Sequence, residues 1–280
     1  MIKKFIASTI SALFFGAVCQ TQNSATNANQ TTNIVTENSA NSVSNNANTP
    51  VENSEKAAAQ TINFDAPDGV RIVGTFYAAN KENSPAVLML HQFGGSRAAY
   101  KDLARQFREN GINVLTIDGR GFGESTRKAD GSRVSVSQSD EPVAGMKSDV
   151  SAAVNFLSGQ KTVDKTRIGI VGASYGSSLA IIHASDNPEI KAVALLSPGT
   201  NYFGNLPTMP AIEKYGARPV LIVAAEDDAD SASASRRLDE LAVGDKHQLQ
   251  IYPKGGHGTG ILSAGVGLEK TLLEFFRGNL

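Results

Sequence analysis

The chain has 280 residues, 41% of them hydrophobic, with a formal net charge of −1 and a single cysteine. That is enough apolar material for one sizeable core, and the near-neutral balance excludes the basic excess that a nucleic-acid binder carries. One cysteine rules out an internal disulfide, and four scattered histidines offer no ligand pairs at zinc spacings, so no metal is expected.

The chain begins as a targeting segment. Lys3 and Lys4 precede an apolar stretch from Phe5 to Val18, short for a membrane span and right for a signal h-region. The stretch ends at Cys19. Residues 1–19 resemble a bacterial lipoprotein signal, in which the cysteine becomes the lipidated first residue. Val18 departs from that pattern, which sets a small residue before the cysteine. The resemblance implies export to the cell envelope and a membrane anchor at Cys19. The alternative is an ordinary secretory signal with an incidental cysteine, giving a periplasmic or secreted protein. Residues 20–60 are rich in Asn, Ser, Thr and Ala, with isolated aliphatics. Such a segment buries too little surface to offset its ordering entropy. It predicts a disordered tether with an end-to-end distance of about 35 Å. Residues 61–280 are then the folded domain.

Residues 61–64 and 70–78 flank Ala66-Pro67-Asp68-Gly69 and predict an opening hairpin. Residues 86–90 form a continuous apolar run, hence a buried strand. His91-Gln92-Phe93-Gly94-Gly95-Ser96 follows as a turn, with Ser96 expected to cap a helix over 98–110. Residues 113–118 read as the next strand. The segment 126–145 is polar, either overhanging a site or simply solvated. Residues 146–157 show helical spacing. A strand at 168–171 precedes a helix from 177. Further strands are expected at 192–196, 219–224 and 248–252, with helices near 235–241 and 268–276. Strands alternating with helices predict a mainly parallel sheet with helices on both faces, an α/β class fold.

The chemistry concentrates at Gly172-Ala173-Ser174-Tyr175-Gly176. Strand, G-x-S-x-G and helix together make the nucleophile elbow of α/β-hydrolases. The glycines relieve crowding where the serine is lifted out of the sheet. A serine hydroxyl needs a base and an orienting acid, and here they should follow it in the order acid, then histidine. His91 precedes Ser174. His183 falls inside the elbow helix, and His247 opens a strand-like run. His257 sits in Lys254-Gly255-Gly256-His257-Gly258, a loop after the last strand, and is the candidate base. The acid should come from Glu226-Asp227-Asp228-Ala229-Asp230, after the strand at 219–224. An oxyanion hole needs two backbone N–H groups. The Tyr175 N–H is one candidate, and the Phe93 N–H, in the loop after the 86–90 strand, is the other.

These pieces resemble the α/β-hydrolase superfamily of serine esterases, as does Asp118-Gly119-Arg120-Gly121-Phe122-Gly123. A nucleotide-binding glycine loop is the weaker reading of that last motif. In the superfamily it is a turn shaping the site wall. The resemblance also implies that the acid falls three residues after a strand-ending glycine. Ala225 holds that place, which points to Asp228, with Asp227 and then Asp230 as alternatives. Gln92 replaces the glycine usual in the oxyanion loop. The dienelactone-hydrolase branch is similar in this loop but uses a cysteine nucleophile, so its substrate is not carried over.

Residues 197–219 leave little room for a helical cap, so an open site with a minimal lid is expected. Tyr202, Phe203, Leu206, Met209 and Tyr215 either wall that site or pack as an ordinary connection. The resemblance implies a serine hydrolase of small-molecule carboxylic esters, needing no cofactor, with Ser174, His257 and Asp228 as triad. The alternatives are a peptidase or amidase on the same triad, and a non-catalytic binding protein on this scaffold.

Overall fold

The computed structural model describes residues 59–136 and 140–280. The signal segment, Cys19 and the tether up to residue 58 lie outside the described residues. So does part of the 126–145 loop.

Eight main strands form the sheet: β1 (Ala59–Asp65), β2 (Val70–Tyr77), β3 (Ser84–Leu90), β4 (Asn113–Ile117), β5 (Val163–Ala173), β6 (Ile190–Leu196), β7 (Val220–Ala225) and β8 (His247–Tyr252). Their order across the sheet is β1-β2-β4-β3-β5-β6-β7-β8, with the short strand Arg127–Lys128 on β2. β1 and β2 form the expected antiparallel hairpin, and β2 also runs antiparallel to β4. Every pairing from β4 to β8 is parallel. The helices are α1 (Lys101–Glu109), α2 (Asp140–Ser158), α3 (Tyr175–Asp186), α4 (Thr208–Tyr215), α5 (Ala229–Leu241) and α6 (Leu268–Asn279). This is the α/β-hydrolase architecture.

The strand period of two divides the core. Leu88 and Leu90 of β3 face one way, with Ile170 of β5 and Leu195 of β6, against Val150, Leu179 and Leu238 of α2, α3 and α5. Val87 and Met89 face the other way, with Val171 and Leu196, against Phe107 of α1 and Phe276 of α6. Both faces are buried, which is why these strands read as unbroken apolar runs. The parallel order turns the carboxyl ends of β3, β5, β6 and β7 to one edge, where the loops carrying His91, Ser174, Ser197 and Asp228 emerge.

Several boundaries differ from the sequence reading. Ala59 and Gln60 pair with Tyr77 and Phe76, so the ordered domain begins inside the expected tether. Ser96 makes no side-chain cap; a 3-10 turn, Arg97–Tyr100, leads into α1 instead. α5 starts at Ala229, immediately after Asp228, and buries the small residues Ser231, Ala232, Ala234 and Ser235. The 197–219 segment holds α4 as well as two short paired strands, Asn201–Tyr202 and Leu206–Pro207. α4 buries Ala211, Ile212 and Tyr215, an apolar face within a segment expected to hold no more than a minimal lid.

Candidate active site

β5 ends at Ala173 and α3 begins at Tyr175, leaving Ser174 alone between them. Its φ of 54° and ψ of −125° are strained for a residue with a side chain. Such strain costs about 1–3 kcal/mol and survives only where the surroundings impose it. They do so here. The Ser174 N–H donates to the Leu196 carbonyl at 2.8 Å, and the Ser174 carbonyl accepts from the Ser177 N–H at 2.8 Å and its hydroxyl at 2.6 Å. A Cβ on Gly172 would lie 2.1 Å from the Gly176 carbonyl oxygen, and one on Gly176 would lie 2.8 Å from the carbonyl oxygens of Leu90 and His91. Only glycine lets α3 start so close to β3 and β5.

The elbow sets Ser174 Oγ 2.8 Å from His257 Nε2. The other ring nitrogen, Nδ1, lies 2.6 Å from Asp228 Oδ2, with Ser231 Oγ 3.4 Å away. Asp227 faces elsewhere. Its carboxylate accepts the N–H groups of Gly255 at 3.1 Å and Gly256 at 3.0 Å, which shapes the loop leading to His257. Asp230 is exposed in the first turn of α5 and borders the cavity beside His257. Burial pushes the Asp228 pKa up, but hydrogen bonds from Ser231, His257 and Ser197 outweigh it and leave the carboxyl below its ordinary value.

Two residues hold this loop: Ser197, which the sequence does not single out, and Gln92, marked there only as a departure from the usual glycine. Ser197, at the tip of β6, accepts the Gly258 N–H on its Oγ at 2.8 Å. Its carbonyl accepts the Tyr202 hydroxyl at 2.9 Å. Gln92 Oε1 accepts the Thr259 N–H at 2.8 Å and the Thr259 hydroxyl at 2.9 Å. A polar residue just past the end of the strand beside the nucleophile was the available signal for Ser197. Nothing local marks the Gln92 contact.

Phe93 and Tyr175 come together above the elbow, their rings 5.8 Å apart. Tyr175 is the first residue of α3, where a backbone N–H has no partner within its own helix. Phe93 also packs on Phe122 at 4.9 Å and on Phe203 at 5.1 Å. Of the five apolar candidates in the 197–219 segment, Phe203 thus joins this aromatic cluster. Tyr202 lines a cavity of about 310 Å³ with Thr200, Ser231, Asp228 and His257. Leu206 and Tyr215 are core residues, and Met209 packs against them.

His91 anchors the oxyanion-loop candidate. Gly119 N–H donates to its Nε2 at 2.9 Å, so Nε2 is unprotonated and the proton sits on Nδ1, which donates to the Gln92 carbonyl at 2.7 Å. Burial lowers the His91 pKa, in keeping with a neutral ring. His183 is half-buried beside Ser151 and Asn187, and His247 pairs with Asp239 at 2.7 Å. Asp118 takes the Arg97 N–H at 2.7 Å and the Glu124 N–H at 2.9 Å and pairs with the Arg97 guanidinium, so it is occupied in holding its own turn.

The dienelactone hydrolase family profile matches residues 73–260. The chain belongs to that family. The branch set apart above for its cysteine is therefore the chain's own, and this member carries Ser174 at the elbow. An uncharacterised protein of Mycobacterium tuberculosis is 30% identical over 218 residues, covering 71% of this chain and 73% of its own. A putative carboxymethylenebutenolidase of Methylorubrum extorquens is 27% identical over 62% of each chain. The acetyl xylan esterase of Paenibacillus sp. R4 superposes with a TM-score of 0.65 at 16% identity, covering 83% of this chain and 86% of that one. The last likeness is one of fold. Family membership makes the chain a hydrolase on the α/β-hydrolase fold.

Proposed function

We propose that the chain is a serine hydrolase that cleaves carboxylic esters of small molecules through an acyl-enzyme. The observation that carries this reading is the hydrogen-bonded line from Ser174 Oγ through both ring nitrogens of His257 to Asp228 Oδ2, at 2.8 and 2.6 Å. Ser174 Oγ attacks the acyl carbon while His257 Nε2 takes its proton. Asp228 stabilises the imidazolium through Nδ1–H. The Phe93 and Tyr175 N–H groups hold the oxyanion of the tetrahedral intermediate. The intermediate collapses, the ester C–O bond breaks, and His257 passes its proton to the departing alkoxide. Water then attacks the acyl carbon, with His257 as base, and frees the acid and Ser174.

The His257 side chain is 42% exposed, so the second-step water reaches it without a lid opening. The cavity beside it has room for a small ester. The sequence adds a setting: export, with anchoring at Cys19.

Labelling with a fluorophosphonate, followed by peptide mapping, tests the reading. A single adduct on Ser174, absent from His257→Ala, is expected. No adduct, together with no ester turnover, would favour a binding protein on this scaffold. An adduct without ester turnover would move the substrate to amides.

A further inference from the structure

The loop expected to carry an oxyanion donor and the loop carrying the base are 167 residues apart in sequence, yet one side chain joins them. Gln92 precedes Phe93. Its Oε1 takes two hydrogen bonds from Thr259, two residues after His257, and so uses both lone pairs. Its own backbone is fixed, because its carbonyl accepts the His91 Nδ1–H at 2.7 Å and the Gly95 N–H at 2.9 Å. The fit is close. Gly258, between His257 and Thr259, has a φ of +61°, and a Cβ there would come 2.3 Å from Gln92 Oε1. The same Gly258 is held from its N–H by Ser197 Oγ.

We infer that Gln92 is a positioning residue for the hydrolytic reaction: it locks the His257 loop to the Phe93 loop, so that base and oxyanion donor keep one mutual geometry. The inference rests on the serine-hydrolase reading above. A glycine, usual in the superfamily at this position, has no side chain to make the link. The chemistry needs it because the proton moves between Ser174 and His257 while charge develops at the Phe93 N–H. Misplacing one group by about 1 Å lowers turnover by about a hundredfold.

The test uses the full chain with Gln92→Leu, Gln92→Glu, Thr259→Val and the Gln92→Leu/Thr259→Val double variant. Each is assayed for kcat and KM on p-nitrophenyl acetate, for fluorophosphonate labelling rate and for thermal midpoint. Gln92→Leu should lower kcat by about 10- to 100-fold and leave KM within about threefold. Gln92→Glu keeps an oxygen acceptor for both bonds and should hold kcat within about threefold of the parent. Thr259→Val loses only the hydroxyl bond and should fall between them. The double variant should be no worse than Gln92→Leu, because the two residues share one link. A folded Gln92→Leu with kcat within twofold of the parent overturns the inference. So does a Gln92→Glu that falls as far as Gln92→Leu, or a double variant with additive losses. If Gln92→Leu does not fold, Gln92→Glu and Thr259→Val decide: near-parent and reduced kcat respectively support the link, and any other order overturns it. A parent that neither turns over esters nor labels sinks the serine-hydrolase reading, and the positioning role falls with it.

Discussion

The Asp228 carboxylate lies 2.6 Å from His257 Nδ1, while its neighbour Asp227 binds the backbone of Gly255 and Gly256. Adjacent carboxylates thus have separable tasks. Asp228→Asn should lower kcat by about 10³- to 10⁴-fold, since an amide stabilises neither the imidazolium nor the right tautomer. Asp227→Asn keeps a carbonyl oxygen for the loop and should lose no more than about tenfold. Steady-state kinetics on one p-nitrophenyl ester compare the two. Equal losses would contradict the division.

Ser197 ties the same assembly from the other side. It holds Gly258 through its hydroxyl, and a hydrogen bond from it helps keep the Asp228 carboxyl low. Ser197→Ala removes both bonds but leaves the carbonyl that receives the Tyr202 hydroxyl. Turnover should drop by about 30-fold, for roughly 1 kcal/mol for each of the two hydrogen bonds lost. Ester kinetics and chemical denaturation of the variant check the two effects together.

His91 sets a pH dependence of stability. Burial holds its pKa below the ordinary 6.5, so the unfolded chain takes up this proton at a higher pH than the folded one. The contribution is therefore full above about pH 6.5 and is lost as pH falls below it. His183 shifts in the same direction, also through burial. Thermal midpoints should fall from pH 7.5 to 5.5. His91→Gln should lower the midpoint throughout and make that fall shallower. A parallel fall in both proteins would clear His91 of the effect.

Arg120 and Asp149 form a pair 2.7 Å apart beneath the Asp118 turn, at 6% and 2% side-chain exposure. Asp68 meets the same guanidinium from the half-exposed side. Removing one partner of a buried pair strands a charge. Asp149→Ala should destabilise by about 3 kcal/mol, or roughly 10 °C in midpoint for a domain of this size. Calorimetry measures it. A shift under about 2 °C would mean that Asp68 alone suffices.

The mainly parallel sheet and the candidates Ser174, His257 and Asp228 could be read from the sequence because their signals are local; the strand order could not. The elbow is a short-range steric problem that glycines solve at 172 and 176. His257 stands out because the other histidines have the wrong order or sit in regular elements. Only the family resemblance, which sets the acid three residues after the position Ala225 holds, favours Asp228 over Asp227. What stayed hidden depends on tertiary contact. Ser197 looks like an ordinary strand end until Gly258 arrives. The Gln92–Thr259 link joins the two ends of the domain. Ser96 has a capping residue's chemistry but opens a 3-10 turn without using it. α4 leaves no clear mark in the sequence because eight residues, Thr208–Tyr215, are too few to set a periodicity.

The most direct test of the account is hydrolysis of a p-nitrophenyl ester series, from acetate upward, by the full chain and by Ser174→Ala. The account predicts turnover in the parent, with an optimum at short acyl chains, and loss to near background in Ser174→Ala. Turnover that survives in Ser174→Ala would contradict it, whatever the geometry around His257.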